Sequence, residues 1–413
     1  MPQKTVSIIS LGCFRNTVDS ERVAYRYAGQ GYAVCQEGSR CHTLVINTCG
    51  FIQPAKEESL EMIRDAIEWK QRGRVKKIVV IGCLVQRYRT ELRRAFPEVD
   101  QWAGVEEFPP SGGRQHALFP AHLAFVKICE GCLHRCSYCA IPSIKGPLRS
   151  RSQNEIVGEV RAAAERGVRE LNIIGQDITS WGKDFRPPRE FSGLLRKVVS
   201  ASGTVPWIRL LYTHPRFFSD ALIDFIAETE KICSYVDLPL QHVNDRILGL
   251  MGRSIKKKEM LRLVKRIRKR IPGVVIRTSL IVGFPTETEE EFRELCEFVA
   301  EMKFERLGVF VFSREEGTRA YDMPQVHHST RQRRFRELME LQKRIAQEVN
   351  SRFIGRELEV LVEEQNDDIL IGRSRYDAFE VDGVVYVQGK SAQVGSMINT
   401  KIVDAYEYDL TGI

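Results

Sequence analysis

Cys132, Cys136 and Cys139 lie in one short run, Cys132-Leu133-His134-Arg135-Cys136-Ser137-Tyr138-Cys139, with three and then two residues between them. Three thiolates on one loop make a cluster site. An iron-sulfur cube normally takes four cysteines, so three leave one iron open to a substrate or cofactor. An open iron turns a bound cluster into a catalyst. Counting Cys129 extends the run to two CxxC pairs three residues apart, but a structural zinc site usually separates its pairs by about a dozen residues. Cys129 would also have to turn inward from the end of a strand, so it reads as a spare thiol. His134 reads as a solvated loop residue rather than a ligand.

A second group is less obvious because its members are far apart. Leu11-Gly12-Cys13, Asn47-Thr48-Cys49-Gly50 and Ile81-Gly82-Cys83 each close an apolar, β-branched segment. In a parallel sheet the C-terminal strand ends share one edge, so Cys13, Cys49 and Cys83 can converge there. Helices starting near Asp19-Ser20 and Ala55 would aim amide groups at such a site. The alternative is that three small residues cap three strands by chance. Cys35, Cys41, Cys233 and Cys296 sit singly and read as small hydrophobes or free thiols. The eleven cysteines are read as metal or chemical thiols rather than a disulfide framework.

The elements that must position these residues fall into blocks. Residues 1–108 alternate strands (Val6 to Leu11, Thr43 to Asn47, Lys77 to Ile81) with amphipathic stretches at Ser20 to Tyr27 and Ala55 to Lys70, which implies a parallel α/β sheet. Residues 109–122, with Pro109-Pro110-Ser111-Gly112-Gly113, read as a linker. Residues 123–328 repeat the βα pattern six times, with strands at Leu123 to Ile128, Glu170 to Ile174, Trp207 to Leu211, Tyr235 to Leu238, Val274 to Ile281 and Arg306 to Phe312. This predicts a partial (βα)6 barrel of TIM-like design, its site at the C-terminal strand ends. A connecting helix spans 329–352, and 353–413 read as a small antiparallel β-barrel.

Composition narrows the rest. The chain has 413 residues, 43% of them hydrophobic, and a net charge of +8. No apolar run approaches the ~18 residues of a membrane span, and the start carries no export signal, so the expected address is cytoplasmic. Between Phe353 and Ile413 there are 5 basic and 12 acidic residues, leaving the tail at −7 and the remainder at +15. Arg253 to Arg270 holds 10 Lys or Arg; it reads as the solvated face of a barrel helix or, alternatively, a contact for an acidic partner.

The CxxxCxxC loop after a first barrel strand resembles the radical S-adenosylmethionine (SAM) enzymes. The resemblance then narrows. Gly12-Cys13, Asn47-Thr48-Cys49-Gly50-Phe51-Ile52, Ala55-Lys56-Glu57-Glu58-Ser59 and Gly82-Cys83-Leu84-Val85-Gln86-Arg87-Tyr88 resemble the N-terminal domain of the methylthiotransferases. Asp237-Leu238-Pro239-Leu240-Gln241-His242 and Ile281-Val282-Gly283-Phe284-Pro285 resemble their barrel motifs, and the tail resembles their TRAM domain. Cys-Gly-Phe-Ile and Leu-Gln-His favour the RimO branch, which modifies a ribosomal protein, over the branch that modifies tRNA. Two positions depart: Cys129 stands where serine is usual, and Phe14-Arg15 replaces the more common Pro-Lys.

The resemblance implies two 4Fe-4S clusters, one on Cys132, Cys136 and Cys139 for SAM cleavage and one on Cys13, Cys49 and Cys83 carrying the sulfur. It implies two SAM per turnover and insertion of a methylthio group at the β-carbon of an aspartate in the twelfth protein of the ribosomal small subunit. Tyr138 would neighbour the adenosine. By position Gly175 and Gln176 would meet the amino group, Arg277 the carboxylate and Gly283 the adenine, with Gln241 and His242 in the same mouth. The expected partners are the ribosomal protein and a reductant such as flavodoxin or ferredoxin, with ribosomal RNA the alternative contact of Arg253 to Arg270 and the enzyme a monomer. The acidic tail suits a basic protein and would repel tRNA. Two alternatives remain: tRNA methylthiolation by the same chemistry, and a non-catalytic iron-sulfur or zinc scaffold or electron carrier.

Overall fold

In the computed structural model, which describes residues 3–107, 113–114 and 118–413, three blocks of structure follow one another. Pro109 to Gly112 and residues 115–117 of the expected linker lie outside the described residues. The first block runs β1 (Thr5–Ser10), α1 (Phe14–Gly29), β2 (Ala33–Val34), β3 (Cys41–Thr48), α2 (Gln53–Gln71), β4 (Val75–Gly82), α3 (Cys83–Ala95) and β5 (Gln101–Ala103). Its strands form one parallel sheet in the order β2-β1-β3-β4-β5. Strands β3 and β4 are buried along most of their length, with apolar centres at Leu44-Val45-Ile46 and Ile78-Val79-Val80-Ile81, because helices cover both faces.

The second block begins with β6 (Leu123–Lys127) and a short ribbon of β7 (Cys129–Glu130) with β8 (Arg149–Ser150), enclosing helix α4 (Ile141–Lys145). It continues α5 (Gln153–Glu165), β9 (Glu170–Ile174), α6 (Phe191–Ala201), β10 (Trp207–Leu210), α7 (Asp220–Glu228), β11 (Tyr235–Asp237), α8 (Asp245–Met251), α9 (Lys257–Arg270), β12 (Val275–Val282), α10 (Glu289–Met302) and β13 (Arg306–Val311). Parallel sheets β6-β9-β10 and β11-β12-β13 meet through a parallel bridge from Ile208 to Ile232. Six parallel strands thus form an open partial barrel.

Helix α11 (His328–Asn350) leads to the third block, β14 (Glu357–Asn366), β15 (Ile369–Ser374), β16 (Val385–Gln388), β17 (Met397–Ala405) and β18 (Leu410–Gly412). These close into a barrel in the order β14-β15-β16-β18-β17. One of its pairings, β16 with β18, is parallel rather than antiparallel, because β17 runs back between them in the chain and pairs with β18 as a hairpin.

Side chains along a strand alternate between faces, and the two faces of the open barrel pack against different things. Ala124, Val126, Leu171, Ile173 and Ile208 join the layer under the surrounding helices. Leu123, Phe125, Ile174, Trp207 and Tyr235 face the other way and share a core with Val360, Val362, Val385 and Leu410 of the closed barrel. The C-terminal domain therefore fills the concave face of the partial barrel. Its acids follow it inward: Glu363 pairs with Arg373, which reaches Glu170 at 2.7 Å, and Asp377 pairs with Arg306 at 2.6 Å. Part of the tail's negative charge is thus spent on buried pairs.

Candidate active site

Cys13, Cys49 and Cys83 stand at the C-terminal ends of the adjacent strands β1, β3 and β4. Cys13 is the N-cap residue of α1 and Cys83 the first residue of α3, so helices begin closer to the thiols than the sequence reading placed them. Gly12 is needed for the approach: a Cβ there would lie 2.7 Å from Cys49 Cβ and 2.9 Å from its Sγ. Asn16 Nδ2 donates to the Leu11 and Thr48 carbonyls at 3.0 and 3.2 Å, locking two of the loops together. Ser59 accepts from Cys49 N and donates to Cys49 O, each at 3.0 Å.

The loop of Cys132, Cys136 and Cys139 is pinned from the barrel side. Ser137 N donates to Met251 O at 2.9 Å, Ala320 N to Ser137 O at 2.8 Å, and Cys132 Sγ accepts from His134 N at 3.4 Å. Directly after it, Ala140 and Ile144 pack against Cys83. The two cysteine groups are therefore neighbours across the domain boundary.

Burial pushes the Cys132 thiol up to about 11, and Cys139 and Cys83 to about 12. Such thiols ionise only against concentrated positive charge, which iron supplies. Cys13 differs: burial would raise it, but the Arg15 guanidinium, the Asn16 backbone N–H and the Lys145 ammonium together outweigh that and lower it. Among the described residues, only His134, Asp177 and His214 bring three ligand atoms within 4.8 Å of one another. Both cysteine triplets are wider, whereas thiolates on one tetrahedral zinc stand roughly 3.8 Å apart. The donor sets and their spread fit cubes rather than a single ion.

A cavity of about 400 Å³ opens beside the second loop. Its wall includes Cys132, Cys136, Tyr138 and Cys139, then Gln176, Asp177, Tyr212, His214 and Gln241 from successive strand ends, and Phe51 and Ile52 from the loop after Cys49. One cavity thus borders both cysteine-bearing domains. Gln241 holds φ 73° and donates from its backbone to Ser279 O at 2.8 Å, a strained turn kept by its surroundings.

Other positions lie elsewhere. Gly175 is beneath the wall, and a Cβ there would lie 2.6 Å from Cys129 Sγ. Cys129 accordingly packs under the Gly175-Gln176-Asp177 loop, its thiol donating to the Asp177 carbonyl at 3.7 Å. Arg277 does not line the cavity; it lies 3.5 Å from Asp237 and 3.4 Å from Asp382 of the C-terminal domain. Gly283 makes room for Arg331 of α11, and His242 is buried against Glu287 at 3.0 Å. His134 is not a solvated loop residue: it bonds Asp177 at 2.8 Å and its ring stacks on His214 with centroids 3.8 Å apart.

Arg253 was missed. It sits in the basic run taken for a solvated helix face, yet it is buried in the cavity wall, donates to Pro239 O at 2.5 Å and leaves Nε without a partner. The signal was Gly252, whose φ of 72° ends α8 and turns the chain inward before α9 begins. The rest of the run is largely neutralised locally: Lys257, Lys265, Arg266, Arg268 and Arg270 all pair with carboxylates.

Family models agree with this division. Residues 5–104 match the Uncharacterized protein family UPF0004, 126–299 the Radical SAM superfamily and 354–413 the TRAM domain. The ribosomal protein uS12 methylthiotransferase RimO of Pelobacter propionicus is 41% identical over 99% of this chain and 98% of its own length. Those of Geobacter sulfurreducens (40%; 99% and 98%) and Myxococcus xanthus (41%; 98% and 91%) are similarly alike. The chain belongs to the radical SAM methylthiotransferase family, RimO type. It is therefore an enzyme that uses SAM and iron-sulfur chemistry. Solved structures show the fold at greater distance. The radical SAM methyltransferase TsrM from Kitasatospora setae gives a TM-score of 0.55 at 16% identity, over 77% of this chain and 74% of that one. The radical SAM enzyme OxsB gives 0.53 at 10%, over 83% and 56%. No helix among the described residues is long and apolar enough to cross a membrane.

Proposed function

We propose that this enzyme inserts a methylthio group at the β-carbon of an aspartate in ribosomal protein uS12, using two 4Fe-4S clusters and two SAM per turnover. The observation that carries the reading is the single cavity bordered by the Cys132 loop on one side and the Phe51-Ile52 loop of the Cys49 site on the other. When bound, the clusters and SAM supply the reducing electron, the radical and the sulfur.

The chain's own residues supply position and dryness. Cys132, Cys136 and Cys139 hold one cluster, and Cys13, Cys49 and Cys83 the other. Tyr138 flanks the adenosine, Gln176 receives the amino group, and Gln241 closes the ribose side. Arg253, with its free buried Nε, takes the carboxylate in place of Arg277, which is engaged with Asp237 and Asp382. Phe51, Ile52 and Phe310 make an apolar rim that keeps water from the reacting carbon. The remaining exposed acids of the C-terminal domain, Glu364, Asp367 and Asp368 among them, present negative charge to a basic ribosomal protein.

Mass spectrometry of ribosomal protein and tRNA from cells with and without the enzyme tests the substrate. Loss of the methylthio group from the uS12 aspartate is expected; loss from tRNA with uS12 unchanged would sink the proposal. Iron analysis tests the clusters, with about eight irons per chain expected and about four excluding two cubes.

A further inference from the structure

Arg15 follows Cys13 by two residues, at the position that departs from Pro-Lys. One terminal nitrogen donates to the Gly175 carbonyl at 2.9 Å, and the guanidinium carbon lies 4.3 Å from the centroid of the Tyr212 ring. Gly175 opens the loop that bears Gln176, and Tyr212 lines the cavity. Tyr212 itself is held in the left-handed region, φ 63°, with its N–H donated to Asp237 at 2.7 Å. Arg15 thus reaches from the N-terminal domain across the boundary and grips two strand ends of the barrel.

Its Nε is buried without a hydrogen-bond partner. Its backbone lies two residues from Cys13 of one site, and its head group lies on Tyr212, which lines the same cavity as Cys139 of the other. Other buried cations nearby are differently placed. Lys145 is shared between Asp19 and Glu130 at 3.4 and 3.5 Å. Arg253 lines the cavity beside Cys132 and Cys136 of the second loop.

We propose that Arg15 is a positioning residue common to both cluster sites, a permanent cation that favours their reduced forms and a fork that ties the SAM-orienting loop to the N-terminal domain. The proposal rests on the two-cluster reading. A cluster gains negative charge on reduction, so a fixed cation close by raises its midpoint potential. Lysine would keep the charge, but it has neither the fork for the Gly175 carbonyl nor the plane that lies on Tyr212.

The test compares wild type, Arg15→Gln and Arg15→Lys as full-length, anaerobically reconstituted proteins, without turnover. Iron content, cluster potentials by EPR-monitored redox titration and SAM affinity are measured. Cys49→Ala identifies the N-terminal signal. The expectation is a lower N-terminal potential in Arg15→Gln, a smaller fall at the SAM-binding cluster, and recovery of both in Arg15→Lys. SAM affinity should fall several-fold in both variants. About eight irons with both potentials unmoved in Arg15→Gln overturns the role of Arg15 alone. About four irons in wild type overturns the two-cluster reading and this proposal with it. If Arg15→Gln loses its N-terminal iron, Arg15→Lys decides: retained iron and potential support the cation, and loss there too overturns it.

Discussion

Cys129 and Gly175 illustrate how one side chain specifies its neighbour. The sulfur occupies the space a Cβ at position 175 would need, 2.6 Å away. Gly175→Ala should therefore cost about 1–3 kcal/mol in urea unfolding, and Cys129→Ala should recover part of that in the double variant. Cys129→Ser should leave iron content unchanged, which a ligand would not. Arg253→Lys should weaken SAM binding about tenfold with iron intact, since an ammonium cannot form the fork a carboxylate prefers; equilibrium dialysis would measure it. The convergence of Cys13, Cys49 and Cys83 at adjacent strand ends, beside the loop of Cys132, Cys136 and Cys139, was legible because spacing and strand-end positions are written in the chain. Arg253 was not, because a basic run reads as surface until the turn at Gly252 is seen.

At the level of elements, helices α2 and α3 are fastened to the loop after β13 by one buried carboxylate. Glu315 accepts from Lys56 Nζ at 3.0 Å and Arg87 at 2.9 Å, and Arg87 also reaches the Gly50 carbonyl at 2.7 Å. Lys56 and Arg87 belong to motifs that carried the family resemblance without an evident job; their job is this attachment. Glu315→Gln leaves two buried cations short of charge and should cost about 3 kcal/mol, read as a lower urea midpoint. The βα order of both domains was legible from periodicity. The short edge strands β2 and β5 were not, since two or three residues carry no period.

For the molecule as a whole, the C-terminal domain is part of the barrel's core. Burial alone would raise the Glu170 carboxyl, yet the charges of Arg373 and Arg209 hold it down to about 2. Unfolded, it titrates in the ordinary carboxylate range. The stabilisation, roughly 3 kcal/mol, is therefore fully present above about pH 5 and is lost as pH falls through about 2. Stability measured across that window should flatten in Glu170→Gln. Charge counting could not foresee this docking, because Asp377 and Asp382 look like surface acids in a list and become buried partners only when Arg306 and Arg277 meet them.

Phe379 of the closed barrel lies 6.0 Å from Phe14 of the first helix and 6.4 Å from Phe125 of the first barrel strand. During synthesis, then, residues 353–413 emerge after every cysteine of both sites, and the inner face of the barrel stays wet until they arrive. Maturation has an order imposed by translation: the barrel's inner face closes only after residues 353–413 have left the ribosome. Nascent chains halted near residue 350 should fail to retain SAM, while the released chain should bind it; equal binding by both would show that the barrel matures without its last neighbour.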